Sequence, residues 1–165
     1  MNKRFTIGKF PRTRLRRNRQ SPWCRNLISE TELNINDLIL PLFITEGKKI
    51  VENISSLPSI KRYSIDTVVK KIEEVKNLNI PAVALFPYVE KKLKTFDGKE
   101  ALNKNNLICR TIREVKKNFP EIGLICDVAL DPYTTHGHDG ILKKNYIAND
   151  ETIEVLSQQA LIQAE

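Results

Sequence analysis

Three short, uninterrupted apolar runs, each followed by a segment of helical period, restrict this chain to a narrow set of folds. LILPLFI (Leu38 to Ile44), IPAVALF (Ile80 to Phe86) and IGLICDVAL (Ile122 to Leu130) contain almost no polar residue. Hydrophobicity that is continuous rather than alternating marks strands covered on both faces, as in parallel sheets. After the first run, Ser64 is placed to cap a helix in which Ile65, Val68, Val69, Ile72, Val75 and Leu78 recur on one side. Ile108, Ile112, Val115 and Phe119 form a second stripe, which Pro120 ends. A third stripe, Ile153, Leu156, Ala160 and Ala164, follows a cap at Asn149, with Asp150 and Glu151 suited to its first turn. Strand, helix, strand, helix, strand, helix gives βα units joined by right-handed crossovers and a parallel sheet.

Among parallel α/β folds, two nucleotide-binding types lack their signatures. No G-x-G-x-x-G follows the first strand and no Walker A sequence occurs. A (β/α) barrel remains, with its active groups on loops after the strand C-termini. A full eight-unit barrel takes about 250 residues, whereas this chain has 165 and three units, and it stops inside an apparent helix at QQALIQAE. The expected architecture is therefore α/β: about three βα units, the first part of a TIM (β/α)8 barrel, preceded by an extended N-terminal arm. Residues 1–36 are read as the basic arm and residues 37–165 as the incomplete barrel, with strands 1–3 and helices 1–3. Such a piece, alone, is expected to be poorly soluble or loosely folded, as a gene remnant, a split half or a truncated record would be.

The net charge of +7 belongs to the arm. Residues 1–25 hold nine of the 27 Lys and Arg (Lys3, Arg4, Lys9, Arg12, Arg14, Arg16, Arg17, Arg19 and Arg25) and no acid. The remaining 18 bases face all 20 acids, a net of −2. KFPRTRLRRNRQSPW has no apolar period and contains Pro11 and Pro22, so it should run extended. Its arginine forks suit nucleic-acid phosphates or the carboxylates of a neighbouring subunit. Composition alone leans towards nucleic acid, which makes a basic-armed nucleic-acid-binding module the alternative to an enzyme. No window offers the roughly 20 apolar residues of a membrane helix, and no secretory signal is visible in Met1 to Phe10. Cys24, Cys109 and Cys126 are odd in number and widely spaced, which argues against disulfides and a zinc knuckle and for a cytoplasmic setting.

The chemistry concentrates in DVALDPYTTHGHDG, Asp127 to Gly140, which holds three aspartates and both histidines. Side chains alternate along a strand, so Ile125, Asp127, Ala129 and Asp131 share one face and Cys126, Val128 and Leu130 the other. Unpaired acids do not face an apolar helix layer. The aspartate face is therefore expected to look into the barrel lumen near its mouth, leaving Cys126 buried and inert. Taken singly, each residue has a plain reading: Asp-Pro starts turns, glycines fill loops, and His136 and His138 sit in solvent. Two acids on one face at a strand end, with Asp139 beyond, shift the reading towards a site.

This loop resembles the signature of the porphobilinogen synthase (5-aminolevulinate dehydratase) family, which often reads D-V-C-L-C-P-Y-T-x-x-G-H-C-G. The Arg-rich arm, NLISETELNINDLILPLFITEGK, ALFPYVEKK and YIANDETIEVLSQQAL follow in the family's order, so the likeness runs from about Pro11 to Glu165. The resemblance implies a cytoplasmic, octamer-like homo-oligomer of TIM-barrel subunits in tetrapyrrole (haem) biosynthesis. It condenses two 5-aminolevulinate molecules into porphobilinogen with loss of two waters, through Schiff bases on two lysines. Those lysines lie in the second half of the family's chain, and no lysine here falls in a matching position. The chain alone is therefore expected to be inactive, a non-catalytic fragment.

Where zinc-type members carry three cysteines, this chain has Ala129, Asp131 and Asp139. Thiolates suit Zn²⁺ and carboxylates suit Mg²⁺ or no tightly held ion. The resemblance is thus to the aspartate-type branch, with zinc not expected at this loop and Mg²⁺ at Asp131 and Asp139 or at a regulatory site in the second half. It makes Asp127 a catalytic aspartate near the lysines, with Asp131 and Asp139 orienting a substrate amine or relaying protons. It also implies that Arg12, Arg14, Arg16 and Arg17 meet a neighbouring subunit rather than nucleic acid, because the family's arm wraps around an adjacent barrel.

Overall fold

The computed structural model describes residues 8–165, so Lys3 and Arg4 of the arm lie outside the described residues. The chain divides into two compact units, Met1–Asn34 and Ile35–Glu165.

In the first unit the extended run is interrupted by a 3-10 turn at Arg17–Arg19 and a short helix, α1 (Pro22–Leu27). Pro22 at the first helical position explains the start, because its missing N–H is one the helix cannot use. Neither element buries a residue. Leu15, Trp23, Leu27 and Leu33 are all exposed.

The second unit is built on a five-stranded sheet. Its strands are β1 (Ile39–Ile44), β2 (Val51–Asn53), β3 (Lys61–Tyr63), β4 (Ala82–Pro87) and β5 (Gly123–Cys126), in the order β2-β3-β1-β4-β5. β1 pairs in parallel with β4 along its whole length, and β4 with β5. α2 (Ile65–Asn77) connects β3 to β4, and α3 (Leu107–Asn118) connects β4 to β5. A small hairpin, β6 (Leu142–Lys143) and β7 (Tyr146–Ile147), precedes α4 (Asn149–Ala164).

The register sorts the strand residues into two layers. Leu42 stands opposite Leu85, which stands opposite Cys126, and Val83 stands opposite Leu124. With Ile44 these pack against Val68, Ile72 and Val75 of α2 and Ile108 and Val115 of α3 as the main core. The other layer pairs Phe43 with Phe86, ring centroids 5.6 Å apart, and Ala84 with Ile125. Ile39 and Ile125 of that layer are about half exposed (51% and 46%). Coverage of the apolar runs on both faces is thus corrected: helices bury one face, and the second is open in this unit.

Several local expectations change. β2 and β3 were not foreseen; they form an antiparallel hairpin laid on the end of β1. Ser64 is the N-cap of α2, but its hydroxyl accepts from Ile50 N at 2.9 Å and donates to Asp66 Oδ1 at 2.6 Å instead of capping the helix. Leu78, at the C-cap of α2, is exposed. Asn106, unremarked in the sequence, caps α3 by accepting from Cys109 N at 2.9 Å. The third run is strand only to Cys126. In α4 the N-cap is Ala148 rather than Asn149. Its buried side is Thr152, Val155, Leu156 and Gln159, with Ile153 54% exposed, so the Ile153–Leu156–Ala160–Ala164 stripe is not the face that packs.

Candidate active site

β5 delivers the chain to the C-terminal edge of the sheet, and the acidic segment starts immediately past Cys126. Leu124 and Cys126 pack on the helix-side core, while Ile125 and Asp127 are exposed. The alternation that puts the aspartates away from the helices therefore holds at the strand end. Burial pushes the Cys126 thiol up to about 11, which leaves it neutral and unreactive at ordinary pH.

Leu130 and Tyr133 are both buried, in a second cluster with Val89 and Ala101 that Leu93, Ile141, Val155 and Leu156 flank. Tyr133 N and Thr134 N both donate to Leu130 O, at 2.9 and 3.0 Å. Asp131 and Pro132 therefore ride on a turn clamped at both ends by core side chains. Thr95 stitches the loop after β4 to this turn: its N–H donates to Tyr133 O (3.1 Å), and Thr135 N donates to its carbonyl (3.0 Å). Gly140 closes the loop, and a Cβ there would stand 2.6 Å from Ile147 Cγ2 and 3.0 Å from Thr152 Oγ1.

The structure brings Asp131 and Asp139 together. Burial holds the Asp131 carboxyl above the usual carboxylate range, reinforced by a hydrogen bond with Asp139 and by the negative charges of Asp139 and Asp127. Two neighbouring carboxylates do not both ionise freely, so one retains a proton to higher pH than an isolated aspartate would. Asp131 is then less costly to fold when protonated. Its contribution to stability is whole below the ordinary carboxylate range and is lost as pH rises through the raised value. Asp131→Asn should consequently raise Tm at pH 7–8 and lose that advantage near pH 3, as thermal melts across pH would record.

Asp127 reaches this pair through its charge, not through a hydrogen bond. Among the described residues no group of three or more His, Cys, Asp or Glu converges in a metal-holding arrangement. Asp131 and Asp139 as a metal centre thus fall short of a ligand set of their own. No thiolate is offered to the pair: Ala129 stands at one of the family's cysteine positions, and Cys126 is turned to the helices.

His136 departs from its solvated reading. Its Nδ1 accepts from His138 N at 3.1 Å and its Nε2 meets Phe96 O at 3.0 Å, with the Phe96 ring edge-on at 5.0 Å. An N–H donor on one side and a carbonyl on the other admit one neutral tautomer, with the proton on Nε2. Both ring nitrogens are engaged, so His136 braces the loop. It lines, with Tyr88, Lys91, Lys94, Thr135 and Gly137, a cleft of about 440 Å³ that none of the three aspartates lines.

Two residues that the sequence did not single out touch the acidic segment from α4. Gln159 Nε2 donates to Ala129 O at 3.2 Å and Gln163 Nε2 to Asp127 O at 3.1 Å. Sequence offers little signal for them, since a glutamine on a helix is usually a solvated residue.

Comparison with known proteins gives the family and the fold. The family described as delta-aminolevulinic acid dehydratase matches residues 12–165. A delta-aminolevulinic acid dehydratase of Bradyrhizobium diazoefficiens is 50% identical over 92% of this chain and 43% of its own length. One from Helicobacter pylori is 43% identical over 92% of this chain and 47% of its own. The Toxoplasma gondii ME49 delta-aminolevulinic acid dehydratase (porphobilinogen synthase), solved in complex with the reaction product porphobilinogen, superposes with a TM-score of 0.86. It is 36% identical and covers 92% of this chain and 44% of its own. The chain thus spans a little under half the length of these relatives, and its sheet and helices are part of a TIM barrel. This chain belongs to the delta-aminolevulinic acid dehydratase family.

Proposed function

We propose that this chain forms one wall of a porphobilinogen synthase site, at which two 5-aminolevulinate molecules condense to porphobilinogen with loss of two waters. The observation that carries this reading is the Asp131–Asp139 pair at the mouth of β5, with Asp127 beside it. Of two adjacent carboxyls, one holds a proton and the other a charge, so the pair can bind a substrate amine and pass protons to or from it. Asp127, exposed at the strand end, is proposed to act on the same substrate. The covalent steps need lysine amines, and no lysine is among the groups that shift the Asp131 carboxyl in either direction. A chain carrying the remaining barrel is proposed to supply them.

Without a thiolate at the family's three cysteine positions, this loop is proposed not to hold zinc, and Mg²⁺, where it acts, is proposed to act away from it. The test uses the enzyme assembled from this chain and a chain with the rest of the barrel. Zinc-selective chelation should leave turnover unchanged, whereas Asp131→Ala should lower kcat by about 10²-fold. Turnover lost on chelation and recovered only with zinc would sink the reading.

Among the described residues no helix is long and apolar enough to cross a membrane, and a cytoplasmic setting is proposed from the free thiols. A homo-oligomer is proposed through the arm. Arg12, Arg14, Arg16 and Arg17 have no carboxylate partner among the described residues. Leu15, Trp23, Leu27 and Leu33 of the arm are left in water. Arg and Trp are the side chains that anchor protein interfaces, and exposed leucines have no use on a phosphate backbone.

A further inference from the structure

We propose that Gln159 and Gln163 are positioning residues which hold the acidic segment at its working height above the sheet. They lie four residues apart on α4, hence one above the other on one face. Each gives its side-chain N–H to a backbone carbonyl of the segment, Gln159 to Ala129 and Gln163 to Asp127. Those two carbonyls belong to alternate residues, the same alternation that aims Asp127 and Asp131.

The segment needs such a hold. Its ladder with β4 ends at Cys126, and the next fixed points are Leu130 and the turn after it. Without the two glutamines, Asp127 to Ala129 would span the gap between a strand end and a turn, free to slide relative to α4. A half-turn of an extended segment sends its side chains to the opposite face. Such a twist between the two fixed ends would take Asp127 out of the site.

Gln159 adds an independent sign. It is fully buried, and its Oε1 has no hydrogen-bond partner among the described residues. A residue present only to fill the core would be apolar and avoid that cost. Turning the amide over would set Oε1 against Ala129 O, acceptor against acceptor, so the orientation is fixed by the bond Nε2 makes. The buried amide is explained by what its nitrogen holds.

This proposal rests on the reading of Asp127, Asp131 and Asp139 as a site, but its test does not read turnover. Backbone ¹⁵N relaxation would be measured on the 165-residue chain and on Gln163→Ala and Gln159→Met. Order parameters at Asp127 to Ala129 should fall from about 0.85 to below about 0.6 in the variants, while Val83 to Phe86 of β4 keep theirs. Unchanged values at Asp127 to Ala129 would overturn the proposal. So would an equal fall in β4, which would make the glutamines general core packing. If Gln159→Met does not fold, the half-exposed Gln163 decides alone.

Discussion

Incubated alone with 5-aminolevulinate, the purified 165-residue chain is expected to release no porphobilinogen, whereas mixing it with a chain carrying the rest of the barrel should produce turnover. The expectation follows from what surrounds the carboxylate pair. Asp131, Asp139 and Asp127 are proposed to bind an amine and move protons, but proton transfer contributes only about 10²–10⁴-fold to a reaction. The larger share in a ketone–amine condensation comes from a covalent imine, which needs a lysine amine kept neutral by its surroundings. Among the described residues no lysine figures among the groups that shift the Asp131 carboxyl. The lumen-side layer of Ile39, Phe43, Phe86 and Ile125 is also open to water, so the site lacks the dry enclosure that strengthens its electrostatics. Product formation, followed for the chain alone and in the mixture, is the measurement. Turnover by the chain alone would show that a nucleophile among its own lysines had been overlooked.

Deletion of the arm up to Asn34 should collapse the assembled enzyme to smaller species and leave nucleic-acid retention unchanged. Arg12, Arg14, Arg16 and Arg17 gain most from carboxylates that match their planar forks. The exposed leucines and Trp23 supply apolar area that only a protein surface would bury well. Light scattering gives the assembly size, and filter binding of RNA or DNA at several salt concentrations gives the other arm of the test. Retention that weakens steeply with salt and needs Arg14, Arg16 and Arg17 would transfer the arm to nucleic acid.

What could be read beforehand followed from burial. β1, β4 and the start of β5 are apolar runs that helices must cover, and α2 and α3 carry stripes that can cover them. β2 and β3 escaped because Val51-Glu52-Asn53 and Lys61-Arg62-Tyr63 are short and mostly polar, with no apolar run to announce them. The turn between β6 and β7 escaped because Lys144 and Asn145 both take positive φ, a conformation ordinarily signalled by Asn-Gly. α4 was assigned its wrong face because its buried side includes Thr152 and Gln159. Thr152 Oγ1 donates to Ala148 O at 2.6 Å and accepts from Ile141 N at 2.9 Å, bonds that hydrophobic periodicity does not register. In the loop, the face of Asp127 followed from alternation, and the meeting of Asp131 with Asp139 followed from the resemblance. The bracing of His136 by Phe96 O could not be foreseen, since its partner lies 40 residues away.

The hairpin laid on the end of β1 also decides how this half-ring can be joined to anything. β3 takes only Phe43 and Ile44 on the outer flank of β1. Among the described residues Ile39 to Leu42 meet no strand there, and β5 has no neighbour on its far side. Two seams of four residues, each about 13 Å long, therefore stand open at opposite ends of one curved sheet. A complement that zips one seam gains little until it reaches the other, because a lone added strand leaves its own far side bare. Joining is then an all-or-none event. It favours a complement that arrives as a preformed arc, with its two outer strands already spaced to meet both seams at once.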